Sequence, residues 1–191
     1  MLLTQTRVRL FQPTSRYQLT MDLLLIILRL VHIVLGAFWV GTMIFNAFFL
    51  MPSMLEAGPD GMKVAAGLAK RRFLDVLPPV AGLTILSGLW LYWKASLGFQ
   101  PAYMGSAVGM TYGLGAVAAL IAFGLGIAIM RPSMLKAAAL SQAAASAAPD
   151  DRAAKLAEAS ALRLRGAQTA KVVAVVLIIA VAAMAVGRYM G

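Results

Sequence analysis

One helical stripe carries most of the side chains that could do chemistry. Arg29, His32, Gly36, Trp39, Met43, Asn46 and Leu50 are spaced alternately by three and four residues, which sets them on a single face of an α-helix. The residues between them are mostly aliphatic or aromatic. His32 is the only histidine of the chain. A neutral imidazole can ligate haem, a chlorin or copper, or relay a proton. It can equally be a packing residue, bonded to a hydroxyl or carbonyl of a neighbouring helix, and the sequence leaves both readings open. With one histidine, a bis-histidine haem within one protomer is impossible. Methionine, water or a second protomer would have to supply the other axial ligand.

The termini of the other apolar segments add candidates at a similar depth: Met110 and Tyr112, Met184, and Arg188. An imidazole, thioethers and two arginines at the rim, Arg29 and Arg188, would suit haem b with its propionates pointing outward. The bland reading accounts for the same residues, because methionine fills irregular gaps and arginine snorkels at span ends. Met51-x-x-Met54 and Met130-x-x-x-Met134 imitate copper-carrier spacings, since soft sulfur suits Cu(I). No nucleophile–base pair, phosphate loop or nucleotide fingerprint occurs. Without cysteine there can be no disulfide, thiolate zinc site or iron–sulfur cluster.

These residues must be positioned by membrane-spanning helices. The 191 residues are 61% hydrophobic and only 13% charged, against roughly a quarter charged in soluble domains. Segments 23–50, 73–93, 106–130 and 169–189 each meet the requirement of about 20 mostly apolar residues for a crossing. The pattern predicts an all-α four-helix membrane bundle, a single domain over 22–191 behind a polar tail over 1–21. That tail reads as disorder, or as a start misassigned ahead of Met21. A net charge of +10 points to anionic headgroups rather than nucleic acid, because the basic residues cluster between apolar segments.

Eleven of the basic residues lie in the two loops that follow spans one and three, and five lie on the opposite side, with Arg29 just inside the first span. Their asymmetry predicts both loops inside and both termini outside a bacterial-type inner membrane. Segment 134–168 is expected to continue helically beyond the bilayer on the inner side, with a turn at Pro149-Asp150-Asp151. Gly58-Pro59-Asp60-Gly61 reads as a tight turn before a short basic helix ending at Lys70-Arg71-Arg72.

An internal repeat organises the chain. Met51-Pro52-Ser53-Met54-Leu55-Glu56-Ala57 returns eighty residues later as Arg131-Pro132-Ser133-Met134-Leu135-Lys136-Ala137. Two tandem hairpins in parallel orientation explain it, each proline being expected to break its helix at the membrane exit. Gly105, Gly109 and Gly113 form overlapping GxxxG steps that mark a close contact, inside the bundle or between protomers. Trp90, Tyr92, Trp93 and Lys94 read as an interfacial belt. Pro78-Pro79 predicts a kink, with Asp75 beside it expected to pair with Arg71 or Arg72.

Leu28-Arg29-Leu30-Val31-His32, followed by Trp39-Val40-Gly41 and a proline at the end of the span, resembles the opening helix of the copper-resistance-D-like membrane proteins. Its His-x6-Trp spacing is also similar to the first helix of membrane-type protoporphyrinogen oxidases, which bind b-type haem. The resemblance implies His32 as the ligand, with Arg29 and Trp39 as its surroundings. It extends over about 28–93 and more loosely beyond. Two functional classes follow: a non-catalytic helical subunit or scaffold, in a homo-oligomer or larger membrane complex, and a haem binder acting in electron transfer or porphyrin oxidation.

Overall fold

The computed structural model describes residues 16–191, with side chains from residue 19 onward apart from Pro59. The polar stretch before Arg16 lies outside the described residues. No strand occurs among the described residues. Four helical stretches are long and apolar enough to cross a bilayer: Leu19–Glu56, Phe73–Ala95, Ala107–Ala144 and Pro149–Tyr189. The chain is an all-α membrane bundle.

Helix α1 (Arg16–Phe45) passes through a π-helical turn, Asn46–Leu50, into α2 (Met51–Glu56). Helix α3 (Pro59–Lys70) turns back, and α4 (Phe73–Ala95) recrosses the membrane. A short α5 (Pro101–Met104) leads into α6 (Ala107–Leu125), a second π turn at Gly126–Met130, and α7 (Arg131–Ala144). Helix α8 (Pro149–Val186) closes the bundle and ends in a 3-10 turn, Gly187–Tyr189. The helix is already formed at Arg16, so residues 16–21 extend the first helix rather than the tail.

The repeat prolines do not break their helices, contrary to the expectation from sequence. At both sites the ladder widens by one residue directly before the proline: Met51 N–H reaches the carbonyl of Asn46, and Arg131 N–H that of Gly126. A regular turn would press the proline ring against the carbonyl four residues back, and the wider turn relieves that clash. Spans one and three therefore continue as single helices through Glu56 and Ala144. The two π turns stand in the same register of the repeat.

The loops after spans one and three are helical. Gly58, at φ 56°, turns the chain between α2 and α3, and a Cβ on Gly61 would lie 2.0 Å from the Met54 carbonyl. The turn expected at Pro149 lies just ahead of it, and Pro149 is itself the first residue of α8, where its missing N–H costs nothing.

Two hairpins make the core. Within each, α1 packs on α4, and α6 with α7 packs on α8. The second interface is built from Ala118, Ala122, Ala170, Ala174, Ala180 and Ala183, all buried. Lipid is as apolar as leucine, so close backbone approach and van der Waals contact, rather than water exclusion, hold such helices together. Between the hairpins lie Trp39, Met43, Leu77, Ala81, Ala122, Met130, Val173 and Leu177. Trp39 meets Phe123 edge to face, at 6.5 Å between centroids and 87°.

Candidate functional site

His32 sits half-buried between α1 and α4. Its Nδ1 is 2.8 Å from the carbonyl of Thr84, and a carbonyl only accepts, so Nδ1 carries the proton. In the neutral ring Nε2 then keeps its lone pair. That is the tautomer a ligand histidine uses, its second nitrogen fixed by a backbone acceptor. The Thr84 carbonyl also accepts from Ser87 Oγ at 3.0 Å. Gly88 gives the imidazole its place, because a Cβ there would stand 2.6 Å from His32 Cε1. One turn along, a Cβ on Gly36 would meet Thr84 Cγ2 at 3.3 Å. Small residues facing each other thus bring the two backbones close enough for the histidine to reach across.

From His32 to Asn46 the stripe faces protein: Trp39, Met43 and Asn46 are buried. Arg29 departs from it and is exposed. The antiparallel register that sets His32 beside Gly88 and Gly36 beside Thr84 puts Arg29 level with Leu91, inside the Trp90–Lys94 belt. Trp90 and Trp93 are exposed there, with Lys94 Nζ 5.7 Å from the Trp93 ring. At that depth an arginine reaches headgroups, so its exposure needs no protein partner.

The remaining candidates do not gather around His32. Met110 is 59% exposed on α6, and Arg188 stacks over Tyr189 at 4.7 Å. Trp39 lies two turns below His32, against Phe123. Met51 and Met130 are buried in packing contacts, while the Met134 side chain lies against Gly166.

A cleft of about 30 Å³ lies between the hairpins below Trp39, lined by Met43, Leu77, Ala122, Phe123 and Met130 among others. It has room for about one or two waters and excludes His32 from its walls. At its mouth Arg131 donates from Nε to the Leu74 carbonyl at 3.2 Å and from Nη2 to Asp75 Oδ1 at 2.8 Å. Asp75 also faces Arg72 at 3.6 Å. The expected local pair is therefore present but secondary, and the closer partner comes from the other hairpin. Thr84, Gly88 and Arg131 are the residues that sequence reasoning missed here. For Arg131 a signal existed, since Pro78 had to leave the Leu74 carbonyl without its helical donor.

The glycine run contacts the chain itself. A Cβ on Gly109 would stand 1.9 Å from the Tyr103 carbonyl, and one on Gly113 would stand 3.3 Å from Tyr92 Oη. Tyr92 Oη donates to the Gly109 carbonyl at 2.8 Å. Burial in the loop between α4 and α6 raises the Tyr103 phenol above its ordinary pKa, with the neighbouring Tyr112 and Tyr92 adding to the effect.

Compared with protein-family models, curated proteins and solved structures, the chain matches none. The fit to haem must therefore be judged on these residues alone. The donor chemistry of His32 suits an axial ligand. The surroundings named with it do not assemble, and the cleft inside the bundle is too small for a macrocycle. Any such group would have to lie outside the bundle, against α1 and α4, with its second face covered from outside the chain.

Proposed function

We propose that this chain is a non-catalytic helical subunit or scaffold of a larger membrane assembly. The observation that carries this reading is the uneven hold on span one. Only 6% of its apolar window is buried within the chain, against 39% for span four. It leans on α4 and touches α8 over a shorter stretch. Its exposed face includes Ala37 and Gly41 one turn apart, and no atom lies within 4 Å of a Cβ on Gly41. Small residues at that spacing admit another helix closely. The basic loops favour a bacterial-type inner membrane with both termini outside. A photo-crosslinker at Gly41 should capture a helix of a second copy or of another subunit in native membranes. The same probe at Ile121, exposed on α6, should capture mainly lipid. Equal lipid-only capture at both sites would reject the reading.

A second reading is favoured by one observation, the Nδ1–Thr84 bond that leaves Nε2 free. In it His32 ligates haem b, less readily copper or a chlorin, outside the bundle. The carrier would then serve electron transfer or porphyrin oxidation, as the similarity of its first helix to membrane-type protoporphyrinogen oxidases implies. Protein purified in mild detergent would show a Soret band that His32→Ala abolishes. A colourless protein that cannot be reconstituted with haem would end this reading and leave the subunit reading standing.

A further inference from the structure

On the surface between spans three and four, away from His32, runs a groove of about 190 Å³ lined by Leu125, Ile129, Arg165, Gln168, Thr169 and Val172. Arg165, Gln168, Thr169 and Val172 follow helical spacing and form one ridge of α8. Leu125 and Ile129 form the facing ridge, where α6 runs into its π turn. The two helices run antiparallel, so their gradients coincide. Arg165 and Gln168 lie at the basic-loop end, whereas Val172 and Leu125 lie toward the bilayer centre.

The charge at the polar end is uncommitted. Arg165 and Gln168 are exposed, and among the described residues no carboxylate pairs with Arg165. Three acids of the second hairpin and its neighbour are engaged elsewhere: Glu158 with Lys136, Asp151 with Lys155, and Asp75 with Arg131. Arg163 donates to Ser141 Oγ. The Thr169 hydroxyl is bonded to the Arg165 carbonyl at 2.9 Å, which leaves the guanidinium and the Gln168 amide as the donors facing the rim.

We infer that this groove binds an anionic glycerophospholipid, its phosphate on Arg165 and Gln168 and one acyl chain along Leu125, Ile129 and Val172. A guanidinium grips phosphate through paired N–H donors, and basic pockets between spanning helices suit anionic headgroups. The polarity runs from cationic to apolar over about two turns of α8, which matches a lipid lying along its own bilayer normal. On the measure by which the cleft below Trp39 holds one or two waters, this groove would hold about a dozen, and nothing in its apolar half could bond them. Hydrocarbon is the better occupant. This site is independent of the subunit reading.

Native mass spectrometry of the full chain in mild detergent tests it, with phosphatidylglycerol, phosphatidylcholine of the same acyl chains, and inorganic phosphate as probes. The wild type should retain phosphatidylglycerol preferentially. Arg165→Gln should weaken that retention about fivefold, the worth of one basic residue near an anionic surface. Arg152→Gln, an exposed basic residue earlier on α8, should leave it unchanged. If Arg165→Gln does not fold, Gln168→Ala should weaken headgroup preference and Leu125→Trp should block the acyl arm. Equal retention of both lipids, or retention indifferent to Arg165 or its substitutes, would overturn the inference. Displacement of the lipid by millimolar inorganic phosphate would mark a simple anion site and overturn it as well.

Discussion

Arg131 donates to the carbonyl of Leu74 at 3.2 Å, the carbonyl that Pro78, four residues on, leaves without a helical donor. One hairpin thus repairs a defect in the other. The accompanying contact to Asp75 is partly exposed, and exposed ion pairs contribute about 0–1 kcal/mol. Leaving a backbone carbonyl unpaired costs about 1–3 kcal/mol. The repair outweighs the ion pair.

That ranking is testable by thermal denaturation in detergent. Arg131→Gln should cost about 1–3 kcal/mol, and Asp75→Asn less than about 1 kcal/mol. Pro78→Ala restores an N–H to the Leu74 carbonyl, so Arg131→Gln should cost less in that background. Strict additivity of the two changes would show that Arg131 acts through Asp75 alone.

His32 and Gly88 should be coupled in the same sense. Gly88→Ala drives a methyl into the imidazole, at an overpacking cost of about 1–3 kcal/mol. His32→Ala should cost less, about 1 kcal/mol, because Ser87 Oγ still serves the Thr84 carbonyl. The double variant should be more stable than Gly88→Ala alone. If it is less stable, the ring does not lie where the methyl would go.

The glycines should separate into three grades. Gly109→Ala forces backbone against the Tyr103 carbonyl and should cost about 1–3 kcal/mol. Gly115→Ala meets the flexible end of Met184 at 2.9 Å and the Ala180 carbonyl at 3.2 Å, so its cost should be smaller. Gly124→Ala meets nothing within 4 Å and should gain up to about 1 kcal/mol from helix propensity. Identical melting of all three would mean that the loop between α4 and α6 does not pack on α6.

Sidedness can be read with single cysteines, since the chain has none of its own. Ser96 would make a poor reporter because it is fully buried; Gln100 and Ser146 are exposed. An impermeant maleimide should label Gln100→Cys from outside and Ser146→Cys from inside. Labelling of both from one side would contradict four crossings, and reversed sides would overturn the orientation alone.

Much of this architecture was legible in the sequence because lipid imposes simple rules on it. Apolar length located the four crossings, and the spacing of His32, Trp39, Met43 and Asn46 marked the protein-facing side of the first. What lay beyond reach were events set by neighbours. The π turns leave no periodicity of their own and were signalled only by Pro52 and Pro132, which read as breaks. The glycine run announced a close contact but not that Tyr103 and Tyr92 would provide it. Gly88 carries no sign of His32, because the residue it accommodates is 56 positions away. Nor could the sequence gather Arg29, Trp39, Met110 and Arg188 around the imidazole, and the folded chain keeps them apart.

The paired π turns, in register eighty residues apart, make each hairpin a unit of two crossings. Parity then does what charge usually must. A unit with an even number of crossings returns to the side it entered from, so a copy joined behind it inserts in the same direction. The loop after span three falls on the same face as the loop after span one without any new topogenic signal. One such hairpin by itself already has both of its ends on one side of the bilayer.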